Sequence, residues 1–131
     1  MHDIKGFLSI KEAQKLQELF QNVYHLGAVV EIGTYCGKSA INFAEIADEV
    51  GGIVYTIDHH SGSEEHQLGE EYHDEDLYDE RLGKFNTLPE FLRNLSSPQI
   101  LMSCIKDSPA LVLIKGKIIR TKGREKINLP A

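Results

Sequence analysis

The residues best suited to chemistry lie in one short segment, between a β-branched run and a helical pattern. Residues 29–32 read Val-Val-Glu-Ile and are followed by Gly33 and then Gly37. Ser39 stands at the start of the helical pattern, where a helix N-terminus leaves unpaired N–H groups. A strand, a glycine turn and a helix N-terminus in this order form a ligand site of nucleotide size, largely from backbone atoms.

The spacing of the two glycines separates this turn from dinucleotide-binding folds. The pattern Glu31-x-Gly33-x-x-x-Gly37 lacks the G-x-G-x-x-G order. Gly33 would let a ligand approach the backbone, and Gly37 would let the helix pack near the strand. Helix amides and the Ser39 hydroxyl suit a carboxylate, and Glu31 suits an ammonium group. Asp58 ends the next apolar run, where a ribose would be held, so the pattern predicts a ligand with an amino-acid end and a ribose end. A βα turn that holds no ligand is the alternative.

Residues 31–40, Glu-Ile-Gly-Thr-Tyr-Cys-Gly-Lys-Ser-Ala, resemble the first motif of class I S-adenosylmethionine-dependent methyltransferases. They are most similar to the E-x-G-x-Y-x-G-x-S turn of the catechol O-methyltransferase-like branch. The loop that begins at Asp58 also resembles bacterial methyltransferases of unassigned substrate. The resemblance covers residues 28–58 and extends loosely to 107–108. It implies S-adenosyl-L-methionine as cofactor and a small-molecule methyl acceptor.

Carried over position by position, the resemblance implies a set of cofactor-binding residues. Gly33 and Tyr35 would line the cofactor, Ser39 would hold its carboxylate, and Asp58 its ribose hydroxyls. The full set is Glu31, Gly33, Thr34, Tyr35, Gly37, Ser39, Asp58, His59, Asp107 and Ser108. His59 would pack against the adenine edge, and the last two would approach the adenine.

The resemblance weakens toward the end of the sequence. Family members carry a fourth strand that ends in an acidic motif, but residues 110–114 are followed by Lys115-Gly116-Lys117. The metal ligands and catalytic lysine of catechol-type members cannot be assigned. We therefore expect the N-terminal half of the methyltransferase fold, truncated after the third or fourth strand. The alternative to a methyltransferase is an inactive truncated or frame-shifted remnant that at most binds the cofactor.

The elements that must position these residues predict a single α/β domain over 1–131. A Ser9–Glu12 capping box opens the first helix, residues 38–50 form the second, and Thr87–Glu90 forms a second capping box. Buried strands are predicted at 28–32, 53–57 and 100–105, and 110–114 is a fourth strand or a short helix. The expected architecture is a Rossmann-like three-layer sandwich with a mostly parallel sheet, strand order 3-2-1, and helices on both faces.

Residues 59–84 form a polar stretch rich in histidine and acids. A solvated lid over the cofactor cleft is the favoured interpretation over a metal site, because no ligand spacing is diagnostic. His60 and His66 are the weak candidates for a general base, and no other catalytic residue can be assigned. Cys36 is expected to be a packing residue, although its place near a helix N-terminus could lower its pKa.

Composition limits the class of protein. The 131 residues carry a net charge of −6, which argues against nucleic acid as a partner. No apolar run is long enough to span a membrane and no signal peptide is recognisable, so a cytoplasmic protein is expected. Residues 115–131 form a basic tail without aromatics, and a homo-oligomer is an open alternative to a monomer.

Overall fold

The computed structural model describes residues 3–96 and 111–113, and it shows a mixed α/β chain with a short parallel sheet. The helices are α1 (Ile10–Val23), α2 (Lys38–Val50) and α3 (Leu88–Leu95). The strands are β1 (Val29–Ile32), β2 (Val54–Ile57), β3 (Tyr78–Asp79), β4 (Lys84–Phe85) and β5 (Leu111–Leu113).

The sheet has the strand order β1-β2-β5, with both pairs parallel. The register places Glu31 opposite Thr56 at the carboxyl end of the sheet. The predicted parallel α/β arrangement is therefore confirmed. The neighbour of β2 is the 111–113 segment, for which the sequence left strand and helix open, whereas the predicted strand at 100–105 lies outside the described residues.

Ser9 and Glu12 form the predicted capping box at the start of α1, with Ser9 N–H donating to the Glu12 carboxylate at 2.8 Å.

Small side chains of α2 allow the helices to approach the sheet. One hydrophobic cluster joins all three helices to the sheet; its buried members are Phe20, Ala40, Ala44, Ile46, Ala47, Val54 and Phe91. Burial of these apolar side chains is the main favourable contribution to this part of the fold.

Within the described ranges, the three helices all share the cluster on one face of the sheet. Val29 and Val54 belong to that cluster, whereas Val30 and Ile32, which alternate with Val29 along β1, are 57% and 84% exposed. The expectation of helices on both faces is therefore wrong for this part of the chain.

The backbone of the acidic stretch 59–84 is mostly irregular, but short local elements and a buried cluster hold it in place. It contains two short 3₁₀ turns, at Glu64–His66 and Glu75–Leu77, and the antiparallel pair β3–β4. Leu77 and Phe85 anchor it in a second buried cluster together with Ile4, Cys36 and Ile41. The sequence pattern of this stretch is mainly polar, because the apolar side chains that anchor it are those of Leu77 and the adjacent Phe85.

Candidate functional site

Asp58 is the centre of the site, since its carboxylate organises the backbone on both sides of the sheet end. Its Oδ2 accepts the N–H groups of Thr34 and Tyr35, both at 2.7 Å, and its Oδ1 accepts that of His60 at 2.7 Å. Burial alone would raise the pKa of Asp58, but these three donors outweigh it and hold the pKa below its ordinary value. The carboxylate is therefore charged at neutral pH.

Two of these donors belong to residues in an unfavourable backbone conformation. Tyr35 has φ +54° and His60 has φ +60°, which lie in the left-handed region that residues other than glycine rarely adopt. Such a conformation costs on the order of 1–3 kcal/mol unless neighbouring contacts stabilise it. Asp58 binds the N–H of both residues, so one carboxylate stabilises the two strained positions that frame the site.

Glu31 is held by three hydroxyl groups. Its carboxylate accepts hydrogen bonds from Thr34 at 2.6 Å, from Thr56 at 2.5 Å, and from Ser39. Thr34 is buried, so its hydrogen bond to Glu31 lies in the interior of the turn. A carboxylate has about four acceptor positions, which leaves Glu31 about one for a ligand. The Ser39 hydroxyl, predicted to hold a ligand carboxylate, here donates to Glu31.

The two glycines of the motif serve different contacts. A Cβ on Gly33 would meet nothing within 4 Å, and the φ of this residue is +88°. A Cβ on Gly37 would lie 2.7 Å from Cδ2 of Phe91, so Gly37 permits close packing of α3 against the turn. The space at Gly33 is thus open, and the element that packs on Gly37 is α3.

Two cavities meet over Gly33. The larger one, about 630 Å³, extends from Gly33 to Asp58, His59 and Thr87. The smaller one, about 330 Å³, extends from Gly33 to Lys38 and Ser39 at the start of α2. Phe7, Gly33 and Tyr35 border both cavities. The site therefore consists of two adjoining compartments that share these three residues.

The two cavities differ in charge. Asp58 and Glu65 border the larger one, and no lysine or arginine of residues 3–96 does so. Lys5 and Lys38 border the smaller one together with Glu12, whose carboxylate caps α1. The backbone at the start of α2 adds positive potential, because no side chain caps that turn. A ligand that carries an anionic group is accommodated better at the Ser39 end.

Aromatic rings form the outer wall of the larger cavity. The Phe7 ring centroid lies 5.6 Å from that of Tyr35 and 5.5 Å from that of Tyr72, and Tyr35 lies 5.4 Å from His66. Burial raises the pKa of Tyr35 to about 12, so its phenol is neutral. These contacts bring residues of the N-terminal segment, the glycine turn and the acidic stretch 59–84 together around the larger cavity. Phe7 was absent from the sequence prediction, because it precedes the first helix with no motif.

Lys5 connects the N-terminal segment to the folded acidic stretch. Its ammonium group donates to Asp74 and to Asp76, both at 2.7 Å. The neighbouring backbone carbonyl of Gly6 accepts from Lys38 at 3.3 Å. These contacts hold Phe7 over the junction of the cavities.

The two histidines proposed as bases lie in different surroundings. His60 is 5% exposed and does not border the larger cavity, and its pKa is lowered by burial. His66 borders the cavity, but its Nδ1 accepts the Ser63 backbone N–H at 3.1 Å. Since a backbone N–H can only donate, a neutral His66 carries its proton on Nε2. This geometry gives His66 a donor rather than a base.

The other predicted residues lie at the cavity rim, in the core or outside the described residues. His59 is exposed at the cavity rim, with Nδ1 accepting from the Ser61 N–H at 3.0 Å. Cys36 is fully buried and burial raises its pKa to about 12, so it packs as a neutral thiol. Asp107, Ser108 and the basic tail lie outside the described residues.

Among the described residues, no group of three or more His, Cys, Asp or Glu side chains is arranged to hold a metal ion, and no helix is long and apolar enough to cross a membrane. No known protein-family model matches the chain. The function of the chain must therefore be inferred from the site itself.

Proposed function

We propose that this chain carries a Rossmann-like cofactor-binding fold, binds S-adenosyl-L-methionine and transfers its methyl group to a small-molecule oxygen or nitrogen. The observation that carries the proposal is the meeting of two cavities of different charge over the open residue Gly33. A ligand with a nucleoside at one end and an amino acid at the other requires both compartments.

Each end of such a ligand has suitable partners. Asp58 Oδ1 accepts one backbone N–H and has capacity for a ribose hydroxyl, and His59 at the rim can cover the base. The first turn of α2 and Lys38 suit the carboxylate, while Glu31 has about one acceptor position for the ammonium group.

The contribution of the chain to methyl transfer is mainly positioning. When bound, the cofactor supplies an electrophilic methyl group. The aromatic wall formed by Phe7, Tyr35 and Tyr72 would orient a small acceptor and exclude water. Phe7 lies where a ligand in both cavities would contact it.

A second candidate function is cofactor binding without catalysis. It is favoured by the surroundings of His60 and His66, since neither ring presents a free basic nitrogen to the larger cavity. Assays with the isolated protein separate the two candidates. A methylated product from a panel of phenols, alcohols and amines with labelled methyl donor would support the enzyme, and binding without any product would support the second candidate.

The binding proposal is tested by comparing Gly33→Ala with Gly69→Ala. Gly33 and Gly69 have φ +88° and +89°, and neither Cβ would meet an atom within 4 Å. Both substitutions therefore introduce similar backbone strain, but only Gly33 borders the cavities. We expect Gly33→Ala to weaken binding at least about tenfold, which corresponds to about 1.4 kcal/mol. Gly69→Ala should bind as the wild type does.

Isothermal titration calorimetry with S-adenosylmethionine, S-adenosylhomocysteine and NAD provides the measurement. Binding of either S-adenosyl compound that is lost in Gly33→Ala alone supports the proposal. Heat from NAD alone, or equal binding by the two variants, would contradict it. Matching melting temperatures of the two variants serve as the folding control.

A further inference from the structure

Thr87 has a side-chain partner that its sequence position does not predict. The Thr87–Glu90 pattern predicts a capping box, but the Thr87 side chain makes no capping hydrogen bond to α3, so that prediction is wrong. Its Oγ1 lies 2.8 Å from Nδ1 of His60 instead. Thr87 also borders the larger cavity, although it is 1% exposed. Thr87, a residue of the cavity wall, is thus hydrogen-bonded to His60, which does not itself border the cavity.

His60 is held in place by its backbone and by its ring. Its N–H donates to Asp58 Oδ1 at 2.7 Å, and its carbonyl accepts the Thr87 N–H at 3.0 Å. The ring packs on Phe91, with centroids 5.3 Å apart. Two hydrogen bonds therefore join His60 to Thr87, one through the backbone and one through the side chains. This pair lies at the Asp58 end of the cavity.

The proton of His60 can be placed on one ring nitrogen. Nε2 is buried without a hydrogen-bond partner among the described residues. If Nδ1 accepted from Thr87, a neutral ring would carry its proton on Nε2 as a buried, unpaired N–H. Unpaired buried donors are rarer than incompletely satisfied acceptors. The alternative places the proton on Nδ1, which then donates to Thr87 Oγ1.

The charge state of His60 agrees with this assignment. Burial lowers its pKa more than Asp58 raises it, so the ring is neutral at pH 7. Thr87 Oγ1 then accepts from His60 and retains its own proton. Among the described residues this hydroxyl has no acceptor, and Thr87 is one of the residues that border the larger cavity.

We infer that the Thr87 hydroxyl donates a hydrogen bond to an acceptor nitrogen or oxygen in the nucleoside part of the ligand, and that His60 is the residue that positions it. The inference depends on the proposed function for the identity of the ligand. It assigns a specificity contact to the Asp58 end of the site, separate from the contacts of the amino-acid end.

Replacement of the hydroxyl tests this contact directly. Thr87→Val keeps the shape but removes the hydroxyl, and Thr87→Ser keeps it. The ligands are S-adenosylhomocysteine, adenosine and methionine, measured by calorimetry at pH 7.5. We expect Thr87→Val to weaken the first two by about fivefold to tenfold and to leave methionine unchanged. Thr87→Ser should remain within about twofold of the wild type for all three.

A second pair of variants tests the positioning role of His60. His60→Asn retains an N–H donor near the place of Nδ1 and tolerates a left-handed backbone. His60→Gln places its amide one bond further out. We expect His60→Asn to retain adenosine binding and His60→Gln to lose as much as Thr87→Val does. A purely structural role would change the melting temperature of both without this division.

The possible results separate this inference from the proposed function. Wild-type protein that binds none of the three ligands would overturn both. Wild-type binding with unchanged Thr87→Val affinity, or a loss confined to methionine, would overturn this inference alone. Nitrogen-15 NMR of the ligand-free protein gives an independent result, because a proton on Nε2 of His60 would contradict the assignment.

Discussion

The two segments that enclose the larger cavity are held in different ways. The turn at residues 33–37 is fixed by polar groups, with Asp58 and Glu31 together accepting six hydrogen bonds from the turn, α2, β2 and His60. The stretch 59–84 is fixed mainly by the buried ring of Phe85, and Lys5 adds ion pairs from the N-terminal segment.

This difference explains how far each segment depends on its neighbours. The acceptors of the turn lie at the ends of two paired strands, so the sheet itself brings them together. The acidic stretch has few apolar side chains and depends on a contact with the cluster around Ile4 and Cys36. Removal of a packing side chain should therefore destabilise the turn less than the acidic stretch. Removal of a charge should destabilise the acidic stretch less than the turn.

The largest expected effect comes from Phe85→Ala. The ring is fully buried and lies under Tyr35 and His66, with centroid distances of 6.2 and 5.4 Å. We expect a loss of about 3–5 kcal/mol in the free energy of unfolding, the usual range for a buried phenylalanine. Urea denaturation measures it, and limited proteolysis should cut first within 59–84.

Phe7→Ala is the matched control for this substitution. Its ring touches the same aromatic wall but is 67% exposed, so we expect a loss below about 1 kcal/mol. Equal destabilisation by the two variants would show that Phe85 does not anchor the acidic stretch in the way described.

The second effect is that of Asp58→Asn on the turn. The asparagine oxygen can still accept from Thr34 and Tyr35, but its NH₂ group cannot accept from His60. Loss of one charge-assisted hydrogen bond, discounted because Asp58 is only half-buried, should cost about 1–2 kcal/mol at pH 7. Urea denaturation of both proteins gives the difference.

The pH dependence of this difference has a definite sign. The pKa of Asp58 is lowered in the folded state, so its stabilisation is fully present above the unfolded carboxyl value of about 3.9. It is lost as the pH falls through the lower folded pKa. The gap between wild type and Asp58→Asn should therefore be constant from about pH 7 to 5 and shrink below about pH 4. A gap that grows in acid would contradict the lowered pKa.

The smallest effect is expected for Lys5→Met. This lysine pairs with Asp74 and Asp76 near the surface, where ion pairs contribute little and are screened by salt. We expect the melting temperature to fall by at most about 4 °C. The loss should largely disappear in 1 M NaCl, on the order of the concentration at which screening is nearly complete. A larger loss that salt removes would mean that the stretch depends on charge as much as the turn does, and a loss that salt leaves unchanged would show that it does not come from the ion pairs.

Several parts of the fold and site could be predicted from local sequence. The capping box at Ser9, the bounds of α2 and the two parallel strands follow from short-range patterns, and the structure confirms them. The open position at Gly33 also followed from its place in the turn. These features depend on backbone conformation and on residues close in sequence, so the pattern carries the necessary information.

Other parts depend on contacts that no local pattern records. Thr56 reaches Glu31 only because the register of β1 and β2 places them side by side. Thr87 has the sequence position of a helix cap, yet its hydroxyl forms a hydrogen bond with His60, 27 positions earlier in the chain. Phe7 has no motif around it, and its role depends on where the N-terminal segment crosses the turn.

The sequence by itself determined an α/β chain with a glycine turn between a buried strand and a helix, and it placed acidic residues at the ends of two strands. Periodicity and turn chemistry involve residues close together in the chain, so they can be identified from the sequence alone. The tertiary structure alone decided what those acids do, which face of the sheet the helices cover and which rings enclose the cavity. Those outcomes depend on strand register and on packing between distant segments, because hydrogen-bond donors and apolar surfaces are matched in space rather than along the chain.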